Sequence, residues 1–281
     1  MEQATPNDLV NRNLPLPSLL ERADERELST LADLITDKGK GRLMLDRHLK
    51  EVILSFQTKN KLHELAHILA KEICAFGGNS TVSILRSGEV TQYHSILKNV
   101  AKILGAESKK TDVYSLERGV LAALIYKVVN DKSNDELHED LKCDDRKSNA
   151  LIAKSIHNTQ KDKREHLVET ILDVFDIELV RKLVQRALTE KYILMLCSGI
   201  GAVTGSGISA AGIMATAKLA GGMAVRFNPL TAVISGAASA FSLSGPAFRI
   251  VIPAVVQIAL IRYHQIALET HQFCTELESC L

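Results

Sequence analysis

"ILMLCSGIGAVTGSGISAAGIMATA", residues 193–217, decides the fold: it is a run of 25 residues without a single charge. As a helix it would be about 37 Å long, enough to cross a hydrocarbon core of roughly 30 Å with some tilt. About three-fifths of the run is Gly, Ala, Ser or Thr. Its seven Ile, Leu and Val residues contribute only about −2 to −4 kcal/mol to insertion. One central Lys would cost nearly as much. A lone helix of this kind inserts marginally, whereas close packing between helices is favoured. Gly201 and Gly205 form G-x-x-x-G, and Ser209 and Gly212 continue the set of small packing residues. Small faces let backbones approach closely, which suits an oligomeric bundle around a narrow pore.

The same composition extends on both sides. Residues 227–248, "FNPLTAVISGAASAFSLSGPAF", form a second uncharged run of 22, with Pro229, Gly245 and Pro246 shortening its helical part. A third run, 250–261, is too short to span alone, although a helix could continue past Arg262 toward Leu268. Tyr192, Phe227, Phe248 and Tyr263 stand at the edges, where interfacial aromatics are expected. From Lys191 to Arg262 there are five basic residues and no carboxylate. Lys218, Arg226, Arg249 and Arg262 are candidates for a basic ring: facing a lumen they would favour anions, and at the interface they would snorkel to lipid phosphates. Residues 191–268 are therefore expected to be a membrane-inserting oligomeric segment, and 269–281 a polar tail. The alternative is an Ala/Gly-rich helical hairpin buried in a soluble oligomer. The missing carboxylates favour the bilayer, because soluble surface helices carry both signs of charge.

The first 190 residues read differently. They hold 29 of the 34 basic and 30 of the 33 acidic side chains, in a chain of net charge +1. Such a balance gives no general affinity for nucleic acid. Five cysteines without C-x-x-C spacing argue against a disulfide framework and for a reducing cytosol on at least one side. Residues 1–17 are a polar, proline-bearing lead without a signal peptide's apolar core. In "ADERELSTLADLIT", Asp24 and Glu27 have the spacing of a capping box. Apolar residues at helical spacing predict further helices from His48 to Phe76, with a break near "QTKNK", and from Arg164 to Glu190. No stretch alternates over six residues, so strands are not expected. The fold class is all-α: a soluble helical sensor or gating domain over residues 18–190, followed by the Gly/Ala-rich membrane bundle.

Three motifs suggest other chemistry. "GSGISA", Gly205–Ala210, matches a dinucleotide-binding fingerprint, but no Asp or Glu lies between Glu190 and Glu269 to hold a ribose, so these glycines read as packing. His63-Glu64-Leu65-Ala66-His67 is a literal H-E-x-x-H, which on a helix sets two imidazoles on one face beside a general base. Glu89 is the available third ligand, giving a zinc hydrolase as the least favoured reading. The bland one, a solvated face in a Lys- and Glu-rich helix, is preferred, with no metal and no other cofactor. "FGGNS" offers a Gly-Gly turn feeding a helix start, with Gly77, Gly78, Asn79 and Ser80 as anion-binding candidates and Arg86 two turns along. An interhelical turn demanded by packing is the stronger reading.

Three stretches in order resemble the YaaW-like family of bacterial proteins. "LLERADERELSTLADLITDKGKGRL" resembles its short N-terminal module, and "AKEICAFGGNSTVSILRSGEVTQYHSILKNVAKILGA" its central block. "GPAFRIVIPAVVQIALIR" resembles its closing block, so the likeness spans about residues 19–262. The family brings no catalytic residues, and "HELAH" is not part of its pattern. Proteins of this general design also resemble membrane effectors of bacterial antiphage systems such as Hailong, in which a nucleotidyltransferase makes DNA oligomers that control an oligomeric channel. That resemblance implies a non-enzymatic homo-oligomer in the bacterial inner membrane with its N-terminal domain in the cytoplasm. It also implies a nucleotide or single-stranded DNA-oligomer ligand from a partner nucleotidyltransferase. A soluble helical interaction or chaperone-like protein is the alternative.

Overall fold

A computed structural model describes residues 11–39, 45–78, 89–106, 111–130, 136–137, 141, 146–158, 164–174, 176–188 and 248–280. Every regular element among them is helical, as expected. Local chemistry sets most helix ends. Helix α1 (Leu16–Glu21) carries Pro17 in its first turn, where a missing N–H costs nothing. Helix α2 (Glu25–Thr36) is capped by Asp24, which accepts from the Arg26 amide at 2.7 Å. Glu27 does not close the expected capping box; its carboxylate turns into the core. Helix α3 (Arg47–Thr58) is capped by Asp46, and the chain breaks at Lys59–Lys61, inside "QTKNK". A 3-10 turn (Leu62–Leu65) then leads into α4 (Ala66–Gly78). Helix α5 (Glu89–Leu104) stops at Gly105, whose φ of 72° is the left-handed conformation that glycine adopts without strain.

Helices α6 (Val113–Asn130) and α7 (Arg146–Asn158) follow. The single helix expected from Arg164 to Glu190 is two, α8 (Arg164–Asp173) and α9 (Ile177–Ala187). Asp176 starts the second by accepting from the Leu179 amide at 2.9 Å. An apolar stripe that continues through the break hides this cap from a periodicity reading. Asp176→Ala should cost about 1 kcal/mol, read as a thermal midpoint lower by about 2–4 °C.

The last helix, α10 (Phe248–Ser279), corrects the expected domain boundaries. It packs against α1, α2, α4, α5, α6 and α9 and forms the axis of the helical domain. Residues 251–263 are buried around the whole circumference, the mark of a core helix. Residues 248–268 therefore belong to the same folded unit as the described helices up to Leu188, and the helix runs on through most of the expected polar tail. Tyr263 is not interfacial: it is 4% exposed and donates to the Leu172 carbonyl. The N-terminal lead is also shorter than expected, since Leu14, Leu16 and Pro17 are buried in the core.

Helices α9 and α10 pack against each other. Arg181 and His264 meet on one carboxylate oxygen of Glu27, at 3.2 and 3.0 Å. Gln185, one turn further along α9, shares a cavity with Gln257, two turns back along α10. The chain on both sides of residues 189–247 is thus held in one folded unit.

Candidate functional site around the last helix

The polar side chains in the buried half of α10 tie it to several parts of the domain. Gln257 donates to the Glu27 carbonyl of α2, and Gln265 to the Leu19 carbonyl of α1. Arg262 is the centre of the set. It is 2% exposed, and its Nε donates to Glu117 of α6, equally buried, at 2.5 Å. Its Nη1 donates to the carbonyls of Leu14 at 2.9 Å and Arg12 at 3.3 Å. The Tyr93 hydroxyl of α5 donates to the other Glu117 oxygen at 2.5 Å. Burial pushes the Glu117 carboxyl up, with the Arg262 charge and the Tyr93 hydrogen bond opposing it. Burial likewise raises the Tyr93 phenol, with the Glu117 charge adding to it. The arrangement is sealed: it fixes helices α5, α6 and α10 and the segment before α1 in register, and leaves no room for a substrate.

Arg262 is thus corrected from a basic ring or interface position to a paired core residue. Its partners were missed, although the sequence carried a signal. Glu117 sits on the stripe of Leu116, Val120, Leu121 and Leu124, where a charge requires a partner. Arg249 lies in the first turn of α10. Gly201, Gly205, Ser209, Gly212, Lys218 and Arg226 lie outside the described residues.

A second cluster gathers at Glu27, whose side chain is 6% exposed. Arg181 of α9 and His264 of α10 converge on its Oε1, and Arg181 also pairs with Glu178. A cavity of about 300 Å³ opens beside it, with Thr30, Gln185 and Gln257 on its wall. The hydrogen bond to Glu27 raises the His264 pKa against the opposing effect of burial. The protonated imidazolium therefore adds stability that is fully present below about pH 6.5 and is lost as pH rises through the folded-state value. In an NMR titration His264 should lose its proton above pH 6.5, and Glu27→Gln should bring that midpoint down.

The H-E-x-x-H residues do not form the arrangement of a zinc peptidase. Leu62–Leu65 is a 3-10 turn and α4 begins only at Ala66, so the motif straddles a junction. The His63 Nδ1 lies 2.6 Å from Glu25, and the His67 Nε2 lies 3.7 Å from Glu21. Glu64 pairs with Lys61 at 2.7 Å, and Glu89 opens α5. Among the described residues no group of three or more His, Cys, Asp or Glu could hold a metal ion. Gly77 and Gly78 are the last two residues of α4, and Asn79, Ser80 and Arg86 lie outside the described residues.

By length and composition Val251–Ser279 is apolar enough to cross a membrane, yet 83% of its most apolar window is buried inside the domain. Neither a family model nor a solved structure matches the chain. Curated proteins do. A UPF0174 protein of Helicobacter pylori (strain J99) is 25% identical over 247 residues, covering 86% of this chain and 90% of that protein. The UPF0174 protein YaaW of Escherichia coli (strain K12) is 27% identical over 247 residues, covering 86% and 91%. These alignments, over most of both chains, agree with the resemblance carried by the three sequence blocks: the chain is similar to the YaaW-like UPF0174 proteins.

Proposed function

We propose that this protein is a non-enzymatic membrane effector in which a helical domain holds both ends of a pore-forming tract. One observation carries the reading: the helices on either side of the tract, α9 and α10, pack against each other in one folded unit, and from Lys191 to Phe248 the sequence between them has no carboxylate. A chain that crosses a bilayer and comes back to its starting side crosses an even number of times. Residues 193–217 and 227–247 supply two uncharged stretches for an out-and-back pair. Neither is apolar enough to be comfortable alone, so the hairpins of several copies pack through Gly201, Gly205, Ser209 and Gly212. Lys218 and Arg226 then sit at the turn between crossings, where they reach lipid phosphates. The domain stays on the cytoplasmic face of the inner membrane and gates the pore.

Family analogy adds the context of antiphage defence and a nucleotide or DNA-oligomer signal from a partner nucleotidyltransferase. The soluble interaction protein remains the second reading, supported by how completely the domain hides its own apolar helix. Liposomes separate the two. Full-length protein added to dye-loaded vesicles, with and without short DNA oligomers, is expected to release dye in at least one condition. Sealed vesicles in both, with the protein in the supernatant, would favour the soluble assembly.

A further inference from the structure

Two apolar stretches follow Arg226: residues 227–247, rich in small side chains and interrupted by prolines, and residues 250–268. By composition the second is the better membrane helix, and it belongs to the segment long and apolar enough to span. Yet residues 251–263 of it are held in the protein core. Within 250–268 the only Asp, Glu, Lys or Arg is Arg262, about one turn from the middle. A guanidinium near the centre of a spanning helix disfavours insertion on the order of a hundredfold. In the core the same group meets Glu117 and the carbonyls of Arg12 and Leu14.

Stability alone does not account for the pair, because a buried ion pair is commonly matched or exceeded by well-packed apolar side chains. What such a pair does supply, and Leu against Leu does not, is a charge that is met in only one place. We infer that the Arg262–Glu117 pair sorts the last helix: the Arg262 charge bars it from the bilayer, and Glu117 with the Tyr93 hydroxyl makes the domain core the place where that charge is met. The return crossing is then left to residues 227–247, and the C-terminus stays on the same side as the domain. This inference rests on the reading that the tract between Leu188 and Phe248 brings the chain to a membrane.

The test is a full-length chain carrying bacterial alkaline phosphatase after Leu281, an enzyme active only when exported from the cytoplasm, together with fractionation of the same cells. The parent is expected in the membrane fraction with background phosphatase activity. Glu117→Leu with Arg262→Leu keeps an apolar core while removing the barrier, and should raise activity at least tenfold. Arg262→Lys retains the charge and should stay at background. So should Glu117→Leu alone, which weakens the domain but leaves Arg262 in the helix. That variant distinguishes sorting from unfolding: if it exports the reporter as strongly as the double variant, loss of the fold is responsible and the inference is overturned. It is equally overturned if the double variant stays at background in a membrane-bound chain, or if Arg262→Lys exports. A parent found in the soluble fraction removes the membrane reading and this inference with it.

Discussion

Glu117→Leu is expected to cost about 3–5 kcal/mol of folding stability, a large part of the 5–15 kcal/mol typical of a domain. The substitution is apolar and roughly fits the space, so lost packing is not the main cause. The cost arises because Arg262 remains 2% exposed with its principal partner gone. The Nη2 of Arg262 already has no hydrogen-bond partner, so little in the core could compensate. The Tyr93 hydroxyl would lose its acceptor as well. Adding Arg262→Leu should therefore restore most of the loss, leaving the double variant within about 1–2 kcal/mol of the parent. Urea unfolding of the four proteins of this cycle checks the expectation. A double variant as unstable as Glu117→Leu would mean that the hydrogen bonds to Arg12 and Leu14 dominate, not the ion pair.

Gly201→Leu and Gly205→Leu should each abolish ion leak while leaving the protein in the membrane. A Leu side chain on the small face keeps neighbouring backbones from the close approach that G-x-x-x-G allows. The same substitution makes the run slightly more apolar, by about 0.3–0.6 kcal/mol, so insertion is not weakened. Loss of leak without loss of membrane retention is the signature of failed helix–helix packing. Undiminished leak in both variants would exclude Gly201 and Gly205 from the pore-forming contacts.

Much of the helical architecture was legible in the sequence, because spacing of apolar residues and short polar caps act locally. Asp24 and the break at "QTKNK" fall where the sequence puts them. The misreadings share a cause: partners distant in sequence decide what a local pattern means. Residues 250–268 have the length and apolar composition of a membrane helix, and only the folded positions of Glu117, Glu27 and Leu19 show that Arg262, Gln257 and Gln265 are met in a protein core. Glu27 has the spacing of a capping residue, but Arg181 and His264 draw its carboxylate elsewhere. His63 and His67 have the spacing of metal ligands and are instead met by Glu25 of α2 and Glu21 of α1. Long-range electrostatic pairing leaves no periodicity to read.

The position of α10 also determines which deletion is informative. A chain ended at Glu190 would lose the axis of its own domain and should not fold. Removal of residues 191–245, with a Gly/Ser linker of about six residues, leaves every described helix in place. Such a linker spans about 13 Å. Fractionation of full-length protein beside this internal deletion, each washed with alkaline carbonate, tests the membrane account most directly. Full-length protein is expected to stay with the membranes after the wash, and the deletion to be soluble, folded and monomeric. Full-length protein released into the carbonate supernatant would contradict a bilayer-spanning tract and leave it as the dry centre of a soluble assembly.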